Sequence, residues 1–335
     1  MSFKSVAAKS AVLRIVGVIT VAAAVLVSVN ASSEAGIRAQ SAQRAAPPKV
    51  RLPDEAAGID GVVGALISVY DQFDVVALGE MHDRRQDSNL RIALVRHPDF
   101  AKKVRTIVVE WGSTSQQATL DRYIRGENVS KAQFEQVWKT LPPGNIGDLV
   151  SENSIYTDFF AAVREVNSRL PAAARIRVFG GEDNRNRDIA AVSIIKDQAL
   201  QKRGKVLVIY GAVHFWRAGP NRPEGFVDDS KDIGIVRMLD ISYPGRTFAV
   251  IPVGGQRQET TSPIPDYQKF DRALKTQVRP VLVPLQRLPF RDFTAGDFLS
   301  GEVLTMSRGR WVDIFEGSTL TLGPMADACV YFGRP

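Results

Sequence analysis

Cysteine is almost absent from this sequence of 335 residues: Cys329 stands alone. One thiol excludes an intramolecular disulfide and a cysteine-based metal cluster. Histidine is nearly as scarce, with three in the chain, His82, His97 and His214. No basic stripe interleaves with aromatics, so nucleic acid is not an expected partner. No internal repeat of solenoid length is present, which excludes a stacked-repeat architecture. The apolar run over residues 15–29, at about 15 residues, is short for a full membrane span. What the chain does have is 44% apolar residues, enough for a substantial core and too many for a disordered chain.

Charge is unevenly placed. The formal net charge is +7, and residues 1–50 hold six Lys/Arg against Glu34 alone, which leaves about +2 for all the rest. Lys4, Lys9 and Arg14, the apolar run behind them and the small residues Val29-Asn30-Ala31 have the layout of an export signal over residues 1–31. A retained anchor helix is the competing reading. No cysteine follows to carry a lipid. Residues 32–54 contain Ala, Ser, Gln and Pro without periodicity and read as a flexible linker. The expectation is an exported protein, periplasmic or secreted, that meets a membrane only through its signal. One domain is expected over residues 55–335.

Within that domain, apolar residues at helical spacing (Ile59, Val62, Val63, Leu66, Ile67, Tyr70) predict a helix over 56–73. The run Val75-Val76-Ala77-Leu78 reads as a buried strand, followed by a helix over 83–96. Further strands are expected over 106–109, 176–179, 205–210, 247–253, 281–285 and 329–332. Helices are expected over 115–126, 130–140 with Ser130 as cap, 155–170, 188–202 and 232–239. Pro142, Pro143, Gly144 and Gly147 predict a loop. Residues 219–225, with two prolines and two glycines, form a candidate lid, and 254–265 read as irregular. Strands alternating with helices predict an α/β fold: a three-layer α/β/α sandwich with a largely parallel central sheet and a helical excursion.

Two stretches carry the chemistry. Gly79-Glu80-Met81-His82 and Gly211-Ala212-Val213-His214 each follow a buried strand, so two of three histidines share one context. Other expected strands end near Glu110 and near Glu182-Asp183. In open parallel sheets ligands bind at the carboxyl ends of the strands. If these four strands are neighbours, two imidazoles and three or four carboxylates converge. Glu80 and His82 are two apart, so extended backbone points both the same way.

Such a set suits two chemistries. In one, His82, His214, Glu80, Glu110 and Glu182 ligate a divalent metal such as zinc or manganese, which activates water. In the other, a histidine is the general base and a carboxylate sets its tautomer. Arg187 would meet developing negative charge in either case. Each residue also has a plainer reading. Glu80 suits the first turn of the following helix, Glu182 and Asp183 suit a helix start, and Arg187 suits an ion pair with either. His97, before Pro98, reads as a helix-end residue. Trp111, Tyr210, Phe215 and Trp216 flank the site, as a ring-binding wall or as core packing.

The paired Gly-x-x-His segments resemble the motifs of the Tiki/TraB superfamily, which takes in ChaN-like haem-binding lipoproteins and the erythromycin esterases. Leu78-Gly79-Glu80-Met81-His82-Asp83 is most similar to the ChaN-like form. Asn186-Arg187-Asp188, Glu110 and the closing Ala326–Gly333 stretch resemble further superfamily segments. The resemblance implies different activities in different branches: metal-dependent proteolysis, opening of a macrolide lactone by histidine and glutamate acting on water, and haem binding through tyrosine. This chain departs from the esterase motif by one residue between Glu and His. It lacks the ChaN lipobox cysteine, and it has no tyrosine within the first motif, although Tyr210 adjoins the second. The expectation is hydrolysis of a small-molecule or peptide substrate by His82, His214, Glu80, Glu110 and Arg187, with or without a metal. The alternative is a haem- or small-ligand-binding protein without turnover, with Tyr210 at the cofactor.

Overall fold

Strands that read as continuous apolar runs must be covered on both faces. In the computed structural model they are. It describes residues 52–141, 150, 154–183, 187–219, 234–255, 267–299, 304–307, 310–315 and 317–334. In chain order the elements are β1 (Ala56–Ala57), α1 (Gly58–Val69), β2 (Val75–Glu80), α2 (Arg85–Arg96), α3 (Phe100–Lys103), β3 (Thr106–Ser113), α4 (Gln117–Ile124), α5 (Lys131–Lys139) and α6 (Ser154–Ser168). There follow β4 (Arg177–Glu182), α7 (Arg187–Gln198), β5 (Val206–Gly211), α8 (Ile235–Ser242), β6 (Thr247–Val253), α9 (Tyr267–Ala273), β7 (Val281–Pro284) and α10 (Gly296–Leu299). The last are β8 (Leu304–Ser307), β9 (Arg310–Asp313) and β10 (Ala328–Tyr331).

Eight strands form one sheet in the order β1-β7-β10-β6-β2-β5-β3-β4. Every pair from β10 to β4 is parallel, and β7 runs antiparallel to both β10 and β1. Side chains alternate between the two faces of a strand. Val76 and Leu78 of β2 enter a core with Leu66 of α1, Leu94 of α2 and Phe159 of α6, while Val75 and Ala77 enter another with Val192 of α7, Val236 of α8 and Phe270 of α9. The sheet thus lies between two helical layers, the expected sandwich. The excursion α4–α6 packs on the first face. Ser130 caps α5 as expected: its hydroxyl accepts from the Gln133 N–H, and the Gln133 side chain answers to the Ser130 N–H.

Three expectations are corrected. The first helix begins at Gly58, because Ala56 and Ala57 pair with Leu282 and Val281 of β7 instead of coiling. Helix α7 stops at Gln198, and Leu200–Lys202 form a separate 3-10 turn. Strands β3 and β4 run on past Val109 and Phe179 to Ser113 and Glu182. Their register shifts between Val109 and Ser113, which brings Ser113 opposite Glu182. Glycine makes that passage possible. A Cβ at Gly180 would lie 2.5 Å from the carbonyl carbon and oxygen of Gly112, and backbone cannot move aside. Gly180→Ala is therefore expected to cost on the order of 1–3 kcal/mol of stability by overpacking. Urea unfolding reads this as a lowered midpoint, and an unchanged midpoint would mean that β3 and β4 separate freely here.

The export segment, nearly all of the linker, the loop after Leu141, residues 220–225 of the candidate lid and residues 256–265 lie outside the described residues. Among the described residues no helix is long and apolar enough to cross a membrane.

Candidate active site at the strand tips

β2, β5, β3 and β4 lie side by side, so the polar residues at their carboxyl ends meet. Gly79 pairs with Tyr210 and Glu80 with Gly211, which sets the two Gly-x-x-His segments against each other.

Glu80 continues the row of Val76 and Leu78 and faces the α2–α6 layer. There it forms an ion pair with Arg91 of α2, the two side chains being 2% and 1% exposed. The Arg91 guanidinium sits 4.5 Å from the Trp111 ring centre, 5.0 Å from Tyr156 and 5.9 Å from Phe159. Arg91 holds Oε2 of Glu80, and Oε1 lies 3.2 Å from His82 Nδ1. The His82 ring reaches across to β5. A Cβ at Gly211 would stand 3.1 Å from its Cε1 and Nε2, so the bare glycine lets the imidazole lie close against β5. The turn bearing His82 is tied down on both sides. The Met81 N–H donates to Asp87 at 3.2 Å and the Asp83 N–H to the Tyr156 hydroxyl at 2.8 Å. Buried Arg84 binds Asp87 at 2.7 Å and the Gly254 carbonyl. Asp83 takes a φ of 62°, a left-handed conformation for which aspartate is enriched.

Glu110 is the centre of the site. Its Oε2 accepts the Gly211 N–H at 2.7 Å and lies 4.0 Å from His82 Nε2. Its Oε1 lies 3.7 Å from His214 Nε2 and 3.8 Å from Arg187 Nη1. His214 Nδ1 is 2.6 Å from Asp188 Oδ1, and Arg187 Nε is 3.0 Å from Glu182 Oε1. Each imidazole thus has a carboxylate of its own on Nδ1 and faces a shared one with Nε2. The side chains of Glu80, Glu110, Glu182 and Asp188 are only 1–3% exposed. His82 is 38% exposed, Arg187 37% and His214 12%, so His82 and Arg187 are the groups a ligand meets.

Electrostatics follow from that layering. Burial alone would lower the His82 pKa, but the Glu110 and Glu80 carboxylates outweigh it and raise it to about 9. His214 moves the same way: burial opposes its charge, and Asp188 and Glu110 favour it more strongly. Burial pushes Glu110 up, yet the two imidazoles, the Gly211 N–H and Arg187 bring it below the ordinary carboxylate value.

The structure bears on several expectations. Among the described residues no group of three or more His, Cys, Asp or Glu is arranged to hold a metal ion. Glu80 is engaged by Arg91 and Glu182 by Arg187, and the Arg187 guanidinium occupies the cationic place beside Glu110. The proposed ligands His82, His214, Glu80, Glu110 and Glu182 converge but do not fit a metal. Tyr210 has no exposed surface and packs against Gly181, so it does not fit a haem ligand. Trp111, Phe215 and Trp216 are core side chains, not a binding wall. His97 Nδ1 accepts the Asp99 N–H at 3.2 Å at the end of α2, the structural place expected. Sequence reasoning missed Arg91 and left Asp188 outside the site. Arg91 had a signal: it shares the buried face of α2 with Asp87, Ser88, Leu94 and Val95.

Comparison with known proteins agrees with the fold. No curated protein matches the sequence. A protein of Bacillus cereus shares the fold at TM-score 0.53 and 12% identity, over 89% of this chain and 97% of its own. The erythromycin esterase EreC, as a variant in its open conformation, shares it at TM-score 0.51 and 10% identity, over 82% and 93%. A succinoglycan biosynthesis protein does so at 0.50 and 9%, over 90% and 97%. The resemblance read from the paired motifs is borne out in the sequence as well: residues 66–174, which carry the first motif and Glu110, match the family of haem-binding uptake proteins of the Tiki superfamily, ChaN.

Proposed function

We propose that this chain is a hydrolase of esters or lactones that activates water with His82, held by Glu80 and Glu110. The observation that carries this reading is the convergence of both imidazoles on Glu110, with His82 the more open of the two. Water adds to the substrate carbonyl as its proton passes to His82 Nε2. The tetrahedral oxyanion that forms faces the exposed Arg187 guanidinium. Collapse breaks the carbonyl–alkoxide bond, and the alkoxide takes the proton back from His82, giving acid and alcohol. Asp188 orients His214, whose imidazole and Arg187 hold Glu110 as an anion. The donor set supports a metal-free route. The match to a haem-binding family keeps one rival in view, haem uptake without turnover. Export through residues 1–31 would place either activity in the periplasm or outside the cell.

A panel of aryl esters and lactones, assayed on wild-type protein and His82→Ala after dialysis against a chelator, tests the reading. Hydrolysis is expected to survive chelation and to fall roughly 10²–10⁴-fold in the variant. A parallel haemin titration is expected to give no stoichiometric absorption band. Such a band, without ester turnover, would transfer the chain to the binding reading.

A further inference from the structure

At the other end of the same strands lies a crevice of about 450 Å³, a size typical of small-molecule sites. Its walls come from the starts of β3 and β4, from α4, from the 3-10 turn Ala172–Ala174 and from the turn Leu200–Lys202. It lies away from the His82 site, because Thr106 and Arg177 open strands whose far ends carry Glu110 and Glu182. Five cations line it, Arg105, Arg125, Arg175, Arg177 and Lys202, against one acid, Asp121.

Pairing does not neutralise this set. Arg177 meets Asp121 at 3.2 Å, and Arg125 meets Glu127 at 2.8 Å. Among the described residues no carboxylate lies within ion-pair distance of Arg105, Arg175 or Lys202. They are oriented by neutral acceptors instead. Arg105 donates to the Ala173 carbonyl at 3.1 Å, Arg175 to the Leu170 carbonyl at 3.4 Å and Lys202 to the Gln198 side chain at 2.9 Å. One bond of that kind fixes a guanidinium and leaves most of its five N–H donors for a ligand. Buried Asn167 stiffens the wall by bonding the Ile124 carbonyl and both backbone groups of Ile176. Like charges that line one crevice repel unless an anion joins them, and planar guanidinium groups match phosphate and carboxylate oxygens two at a time.

We propose that this crevice binds a small, multiply charged oxyanion of the phosphate or carboxylate class between Arg105, Arg175 and Lys202. The proposal is independent of the hydrolytic reading, since it uses none of the residues at the strand tips.

Isothermal titration of the full chain with pyrophosphate and, separately, with citrate at low ionic strength tests it. One saturable site is expected, and the tighter of the two anions identifies the class. Arg105→Ala and Arg175→Ala are each expected to weaken binding roughly tenfold or more, because each removes charge-assisted hydrogen bonds. Lys131→Ala removes the same charge from a side chain 92% exposed on α5 and is expected to change nothing. His82→Ala is expected to bind normally. Absence of saturable binding by both anions would overturn the proposal. So would equal weakening in Lys131→Ala, which would indicate diffuse charge alone. Loss in Arg187→Ala with the crevice variants unaffected would place the anion at the strand tips instead.

Discussion

Glu80→Ala is expected to destabilise the protein by about 3–5 kcal/mol, the cost of breaking a buried ion pair from one side. Arg91 brings a guanidinium, a permanently charged group, into the core. Without Glu80 that charge would lie among Trp111, Tyr156 and Phe159, with the Ile155 carbonyl at 3.3 Å as its remaining acceptor among the described residues. Those ring faces attract a cation, but they do not replace an anion. Replacing both partners with apolar residues of similar size, as in Glu80→Leu with Arg91→Met, is expected to recover most of the loss. Urea unfolding of the two single variants and the double variant measures the coupling. A loss below about 1 kcal/mol in Glu80→Ala would mean that the pair is solvated and not a core element. The double variant also separates two roles. Its stability returns, but its hydrolytic rate does not, because Glu80 Oε1 no longer holds His82 Nδ1.

That ion pair marks the boundary of what the sequence made legible. Periodicity located β2, β5, β6 and the helices around them, because apolar runs and amphipathic stripes are local signals. The four strands that end in acids and histidines were identifiable for the same reason, but their order was not: β5 inserts between β2 and β3, which follow one another in the chain. Partner choice across the fold was not legible. Glu80 and Arg91 are 11 residues apart on different elements, and His214 and Asp188 are 26 apart. Nothing in either neighbourhood names the other. Tyr210 shows the opposite failure. Its place beside a motif suggested a ligand, but strand alternation turns it into the α7–α8 core while Gly211, one residue on, lies under His82. The glycines 180 and 181 read as the end of a strand, whereas in the fold Gly180 is what lets β4 run past Gly112 of β3.

Raising the pH from 6 towards 10 is expected to speed hydrolysis and to loosen the fold over the same interval. His82 must be neutral to accept a proton, and its pKa is raised to about 9. At pH 7 only about one molecule in a hundred then carries the neutral base. The rate should climb tenfold per pH unit and level off near 9. Stability moves the other way. The folded pKa lies above the ordinary 6.5, so folding favours the imidazolium. This contribution is complete below about 6.5 and is lost as pH rises through about 9. His214 adds to it with the same sign. Glu110→Gln removes the charge that faces both imidazoles and is expected to shift the His82 midpoint towards 6.5, carrying the rising limb of the rate profile with it. Proton NMR of the His82 ring, the pH–rate profile and melting temperatures at pH 6 and 9.5 check this together. A merely structural Glu110 would lower stability in the variant and leave the midpoint of the surviving rate unmoved. A wild-type rate that falls as pH passes 9 would overturn His82 as the base and make it the general acid.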